Sequence, residues 1–200
     1  VARKGGYPVR AICANSNASL VEAQAREFGV CAAAMSDEAA ANELRLRLAD
    51  TSVRVYSGID GICQMIAESD ADTAVNSILG MAGLMPTLAV IDAGKDLALA
   101  NKESLVIAGE AVMSRAAKKK LTISPVDSEH CAIAQCLRSG KHSEIKRILL
   151  TASGGPFFGK KRADLAAITL DQALAHPTWK MGAKITIDSP TLMNKGFELI

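Results

Sequence analysis

Between Val9 and Lys119 the sequence alternates short β-type runs with longer helical ones, and this alternation restricts the fold more than any single residue does. The runs VRAICA (Val9–Ala14), Val30–Ala34, VRVYS (Val53–Ser57), DTAVNSIL (Asp72–Leu79) and DLALA (Asp96–Ala100) read as strands. Helical patterns fill the gaps at Ser19–Phe28, closed by Gly29, and at Ser36–Ala49, Gly58–Glu68, Met81–Ile91 and Glu103–Lys119. Such alternation predicts an α/β fold, a Rossmann-like parallel sheet with helices on both faces. A strand buried on both sides should be continuously apolar, as LALA is.

The regularity stops near Ser124, where we place a domain change: residues 1–124 form one domain and 125–200 part of another. In the second, IKRILLTASGGPF reads as a strand entering a glycine-rich turn, HPTWKMG as a turn-rich loop, and KITIDSPTLMNKGFELI as a strand followed by a helix. The chain stops inside that last helical pattern, so it is expected to be a piece of a longer protein.

Charge excludes some partners. The net charge is +2, and the one basic run, Lys118–Lys120, falls where a helix C-terminus favours cations. With aromatic residues at only 4%, nothing supplies a stacking surface for nucleic acid. No apolar run has the length of a membrane span and no signal peptide opens the chain, so neither membrane nor nucleic acid is an expected partner. The five cysteines include no CxxC pair and are expected to be buried, reduced thiols.

Ligands of open α/β sheets gather beyond the carboxyl ends of the strands. Those positions are ANSN (14–17), NKES (101–104), DSEH (127–130), TASGG (151–155) and DSPT (188–191). Asp127 and Glu129, two apart, can aim two oxygens at one Mg²⁺ or Mn²⁺. They suit a helix start equally well, with Asp127 or Ser128 as N-cap and Glu129 in the first turn, for about 1 kcal/mol and no metal. TASGGP fits an anion cradle or a plain glycine turn. In MNKGFEL, Asn194, Lys195 and Glu198 share one helical face, either as a link between phosphate and metal sites or as an ordinary surface pair. Trp179, between Pro177 and Gly182, is either core or the apolar face of a lid.

Taken together, LANKESLV, PVDSEH, LTASGGPF, HPTWKMG and DSPTLMNKGFE resemble the 1-deoxy-D-xylulose 5-phosphate reductoisomerase family, in the same order and over essentially the whole chain. The resemblance implies metal-dependent isomerisation of 1-deoxy-D-xylulose 5-phosphate and reduction by NADPH to 2-C-methyl-D-erythritol 4-phosphate, in non-mevalonate isoprenoid synthesis. It makes residues 1–124 the NADPH-binding domain and 125–200 the start of an α+β catalytic domain. It implies a homodimer, in the bacterial cytoplasm or a plastid stroma. The alternatives are another NAD(P)-dependent dehydrogenase, or a metal-dependent sugar-phosphate module without redox activity.

Carried over by position, the resemblance makes Asp127, Glu129 and Glu198 the ligands of Mg²⁺, Mn²⁺ or Co²⁺, and with Lys102 the catalytic set. Substrate contacts are Lys102, Ser128, Glu129, Ser153, His176, Ser189, Asn194, Lys195 and Glu198. Ser153, Ser189, Asn194 and Lys195 take the phosphate. Asn15, Ser16, Asn17, Asn101, Glu103 and Gly182 meet the nucleotide, and His176, Trp179 and Met181 belong to the lid. Two departures stand out. The family's GxTGxIG phosphate loop is absent, so the chain as written is expected to bind NADPH poorly and to lack a C-terminal domain. Asn15 and Ser16 replace the usual glycine and basic residue, leaving Ser16 and Asn17 as donors near a 2′-phosphate.

Overall fold

Six strands pair exclusively in parallel in the computed structural model, which describes residues 1–200. After the short helix α1 (Ala2–Gly5) come β1 (Ala11–Ala14), α2 (Ala18–Phe28), β2 (Ala32–Met35), α3 (Glu38–Arg47), β3 (Arg54–Ser57) and α4 (Gly58–Glu68). Then follow β4 (Thr73–Asn76), α5 (Leu84–Asp92), β5 (Asp96–Leu99), α6 (Glu103–Lys119) and β6 (Ile123–Pro125). The pairing is divided between two three-stranded sheets, β1-β2-β3 and β4-β5-β6. In register, Ala33 lies between Ile12 and Val55, and Leu97 between Ala74 and Ile123.

Side-chain size explains β2. Its sequence AAAM is buried throughout, and successive side chains point to opposite faces. Ala33 and Met35 join Val21, Ala25, Leu44 and Leu48 of the α2 and α3 side, while Ala32 and Ala34 meet Ile62 and Met65 of α4. Alanines let helices approach from both faces. Ile66 packs against the clusters of both sheets, and Ile91, Val112 and Ala116 form a further cluster beside the second. Each large apolar side chain fully buried here contributes about 1.5–3 kcal/mol.

Local chemistry sets the helix ends. Asn17 caps α2 by accepting from Leu20 N at 3.0 Å, and Gly29 ends it in the left-handed conformation. Asp37 caps α3 by accepting from Ala40 N at 2.7 Å. No helix is long and apolar enough to cross a membrane.

The chain divides into two compact units, Val1–Val126 and Asp127–Ile200. The second contains α7 (Ser128–Arg138), α8 (Arg162–Leu165), α9 (Leu170–Leu174), α10 (Ala183–Asp188) and α11 (Met193–Leu199), and no strand. Two expected strands are therefore corrected. The run from Ile145 has β-type composition but forms no ladder, and Ile148 and Leu149 are exposed; composition alone makes no strand without a partner edge. KITID is helical because Lys184 pairs with Asp188 one turn on, at 2.6 Å, and Thr186 Oγ1 donates to Gly182 O at 2.8 Å. The cysteines are also corrected: Cys13, Cys31 and Cys136 are exposed, and Cys63 and Cys131 half-buried. Cys13 lies on β1, an edge strand.

Candidate functional site

Helix α7 begins at DSEH. Asp127 is its N-cap and accepts from His130 N at 3.2 Å, so the capping role expected of it is real. One oxygen suffices for that, and carboxylate oxygens of Asp127, Glu129 and Glu198 all lie within 4.8 Å of one another. Ligands of one octahedral Mg²⁺, bound at about 2.1 Å, sit roughly 3–4 Å apart. The spacing of the three carboxylates is of that order, and three hard oxygens suit Mg²⁺ or Mn²⁺ better than a soft metal. The residues present therefore fit a divalent cation.

Helix α11 supplies the third carboxylate. The Glu198 side chain is 0% exposed, and a buried charge needs partners. Asn194 Nδ2 donates to its Oε1 at 2.6 Å, and Lys195 Nζ pairs with its Oε2. Lys195 also reaches Glu129 Oε1 at 2.5 Å. Burial pushes the Glu129 carboxyl up; hydrogen bonds from Lys195 and Ser128, with the Lys195 charge, outweigh it and leave the group below the usual carboxylate range. The turn into α11 is strained: Leu192 takes a φ of 59°, a conformation that costs a residue with a side chain roughly 1–2 kcal/mol.

A second polar group forms around TASGG. Ser153 Oγ lies 3.1 Å from Ser189 Oγ and 3.1 Å from His176 Nε2, and Gly155 N donates to it at 3.3 Å. Gly154 and Gly155 both have positive φ. A Cβ on Gly155 would sit 2.9 Å from Pro190, so glycine is what lets this turn approach Ser189. His176 Nδ1 accepts from the backbone N–H of Thr178 and Trp179, at 3.1 and 3.0 Å. In the neutral ring the proton then sits on Nε2, aimed at the hydroxyl pair. Two hydroxyls, an imidazole N–H and turn amides make a donor-rich place for an anion. Next to it His176, Pro177, Trp179, Met181 and Thr186 line a cleft of about 350 Å³. Trp179 is exposed, which removes the core alternative, and Gly182 is the N-cap of α10.

In the first unit, Asn15 to Asn17 follow β1, and Asn101 to Glu103 join β5 to α6. Asn15 accepts from Ser36 Oγ at 2.7 Å, and Ser16 is exposed. The Asn101 side chain is buried and turned inward: Nδ2 donates to Ile78 O at 2.6 Å and Gly80 O at 2.8 Å, and Oδ1 accepts from Ser104 N at 3.2 Å. Glu103 opens α6, and Lys102 is its half-buried N-cap.

The family model described as 1-deoxy-D-xylulose 5-phosphate reductoisomerase matches residues 1–109, and that for the C-terminal domain of the same enzyme matches 123–200. The chain belongs to the 1-deoxy-D-xylulose 5-phosphate reductoisomerase family. The reductoisomerase of Thermoanaerobacter pseudethanolicus is 52% identical over 194 residues, 97% of this chain and 50% of that protein. That of Ruminiclostridium cellulolyticum is 49% identical, over 100% of this chain and 52% of its own. The chain thus spans about half the length of the curated relatives it matches. Among solved structures, a reductoisomerase in complex with NADPH, fosmidomycin and magnesium superposes with a TM-score of 0.90 at 38% identity, covering 100% of this chain and 52% of that one. The Zymomonas mobilis reductoisomerase in complex with NADPH gives 0.86 at 41%, covering 96% and 49%.

Two features of this chain were not legible in the sequence. His130 Nε2 lies 3.0 Å from Glu198 O and ties α7 to α11; nothing in DSEH beyond the histidine itself signals this. Asn76 donates to Gly83 O at 2.9 Å and to Thr87 Oγ1 at 2.8 Å, and Thr87 donates to Ser104 at 3.3 Å. A hydroxyl inside the apolar run LMPTLAV was the available signal for that network.

Proposed function

We propose that this chain supplies the nucleotide-binding sheet and the metal and phosphate residues of an enzyme that isomerises 1-deoxy-D-xylulose 5-phosphate and reduces the product with NADPH to 2-C-methyl-D-erythritol 4-phosphate. The observation that carries this reading is the meeting of Asp127, Glu129 and Glu198, in a chain of this family. These three hold Mg²⁺, Mn²⁺ or Co²⁺; such a cation, when bound, polarises the carbonyl and neighbouring hydroxyl oxygens of the substrate. Ser128, set between two ligands, contacts the substrate, as does Lys102.

Ser153, Ser189, Asn194, Lys195 and the His176 Nε2–H hold the phosphate. The phosphate does not react, so its binding energy serves orientation and closure. Asn15, Ser16, Asn17, Asn101, Glu103 and Gly182 belong to the nucleotide site, and NADPH supplies the hydride there. Asn101 acts chiefly by fixing the backbone around it, since its side chain already serves Ile78 and Gly80. His176, Trp179 and Met181 form a lid that keeps water from the isomerised intermediate, an aldehyde, before its reduction. The full-length protein is taken to be a cytoplasmic homodimer.

The test follows NADPH absorbance with the full-length protein, 1-deoxyxylulose phosphate and Mn²⁺, with and without chelator. Oxidation should stop on chelation, and turnover surviving complete metal removal overturns the assignment. Asp127→Asn separates the two roles of DSEH, because asparagine caps as well as aspartate but lacks its charge. We expect a loss of turnover of more than about a hundredfold with little change in stability; normal turnover returns Asp127 to capping alone.

A further inference from the structure

We propose that Lys195 is an exchangeable cation, pairing with the carboxylates of the metal cluster in one state and with the substrate phosphate in the other, so that metal and phosphate binding reinforce each other through one side chain. The proposal rests on the reading of Asp127, Glu129 and Glu198 as metal ligands.

Lys195 Nζ contacts Glu129 Oε1 at 2.5 Å and Glu198 Oε2, one oxygen from each of two of the three carboxylates. It is only 16% exposed, and the Glu198 side chain is wholly buried, so solvent does little to screen the pairing. An ammonium placed there neutralises charge as a metal would. A divalent cation entering the cluster draws on the same carboxylates and repels the ammonium at close range. Lys195 must then leave for another anion, and a lysine, with four rotatable bonds and a point charge, can make such a swing where an arginine fork is poorly suited. Asn194 donates to Glu198 Oε1 and does not compete for Oε2, so it keeps Glu198 oriented in both states.

Linkage makes the coupling reciprocal. An anion that draws Lys195 away frees two ligands and tightens metal binding; a bound metal frees the lysine and tightens phosphate binding. Removing the lysine charge removes both the competition and the coupling.

The experiment titrates Mn²⁺ into the full-length protein, followed by the electron paramagnetic resonance of free Mn²⁺, with and without inorganic phosphate. Wild-type protein should bind Mn²⁺ several-fold more tightly with phosphate present. Lys195→Gln should bind it about tenfold more tightly than wild type without phosphate, and show no phosphate response. Lys195→Met repeats the measurement should the glutamine variant fail to fold. Equal or weaker Mn²⁺ binding by both neutral variants, or a phosphate response kept in them, overturns the exchange. Asp127→Asn is the control for the metal reading: unchanged Mn²⁺ affinity in that variant overturns the ligand assignment, whereas weakened affinity without tightening in Lys195→Gln overturns the exchange alone.

Discussion

Inside each of its two units this chain is ordered by a different kind of contact. Every buried hydrophobic side chain of the core lies at or before Ala116, in Val1–Val126. In Asp127–Ile200 the buried residues are Gly155, Thr186, Pro190, Asn194 and Glu198, which cluster around the two polar groups of the candidate site. The first unit is ordered by apolar area, which is non-directional and additive; the second is ordered by a few charge-assisted hydrogen bonds, each of which depends on its partner. The first therefore tolerates many sequences of the right pattern, and the second tolerates few substitutions at its centre.

Truncating the core tests this contrast most severely. Leu44 is 0% exposed between α3 and β2, so Leu44→Ala should cost about 2–5 kcal/mol in urea unfolding. Leu149→Ala, at a leucine 70% exposed in the second unit, should change stability by under about 0.5 kcal/mol. A comparable loss at both positions would remove the distinction between the units.

A smaller effect is expected where the first unit borrows the second's kind of order. At Gly83 a Cβ would lie 2.5 Å from Asn101 Cγ and Oδ1. Gly83→Ala should displace Asn101 and strip the Ile78 and Gly80 carbonyls of their donor, costing about 1–3 kcal/mol. On the function proposed above, the same substitution in the full-length protein should raise KM for NADPH more than it lowers kcat. An unaltered KM would confine the network to a structural role.

How much was legible follows the same division. Periodicity located all five helices from α2 to α6 and the strands between them, because burial of β2 and of the α4 and α5 faces is what the pattern records. Helix α6, Glu103–Lys119, agrees to the residue. The same reasoning failed at Ile145 and at KITID: the first has no partner edge, and the second is decided by the Lys184–Asp188 pair and the Thr186 bond to Gly182. For the site, helical spacing did bring Asn194, Lys195 and Glu198 onto one face, and their meeting with Glu129 is a contact 66 residues apart that no local pattern encodes. The motif order carried that information, as it did for Ser153, His176 and Ser189.

The smallest expected effect concerns pH, and it tests whether the second unit's order is electrostatic. The folded-state Glu129 carboxyl lies below its ordinary value because hydrogen bonds from Lys195 and Ser128 and the lysine charge exceed the cost of burial. A carboxyl depressed in the folded state binds fewer protons there than in the unfolded chain. Its stabilisation is thus fully present above the unfolded value of about 4.3 and disappears as pH falls through the lower folded one. Glu129→Gln has no such proton to take up, so wild type and variant should differ near neutrality and converge in acid. The group is partly exposed, which keeps the difference under about 1 kcal/mol. Urea midpoints measured at neutral pH and near pH 3 check it. A gap that stays constant across that range would mean that Glu129 stabilises the unit by packing, and that the contrast between an apolar and an ionic half is weaker than the geometry of Lys195 implies.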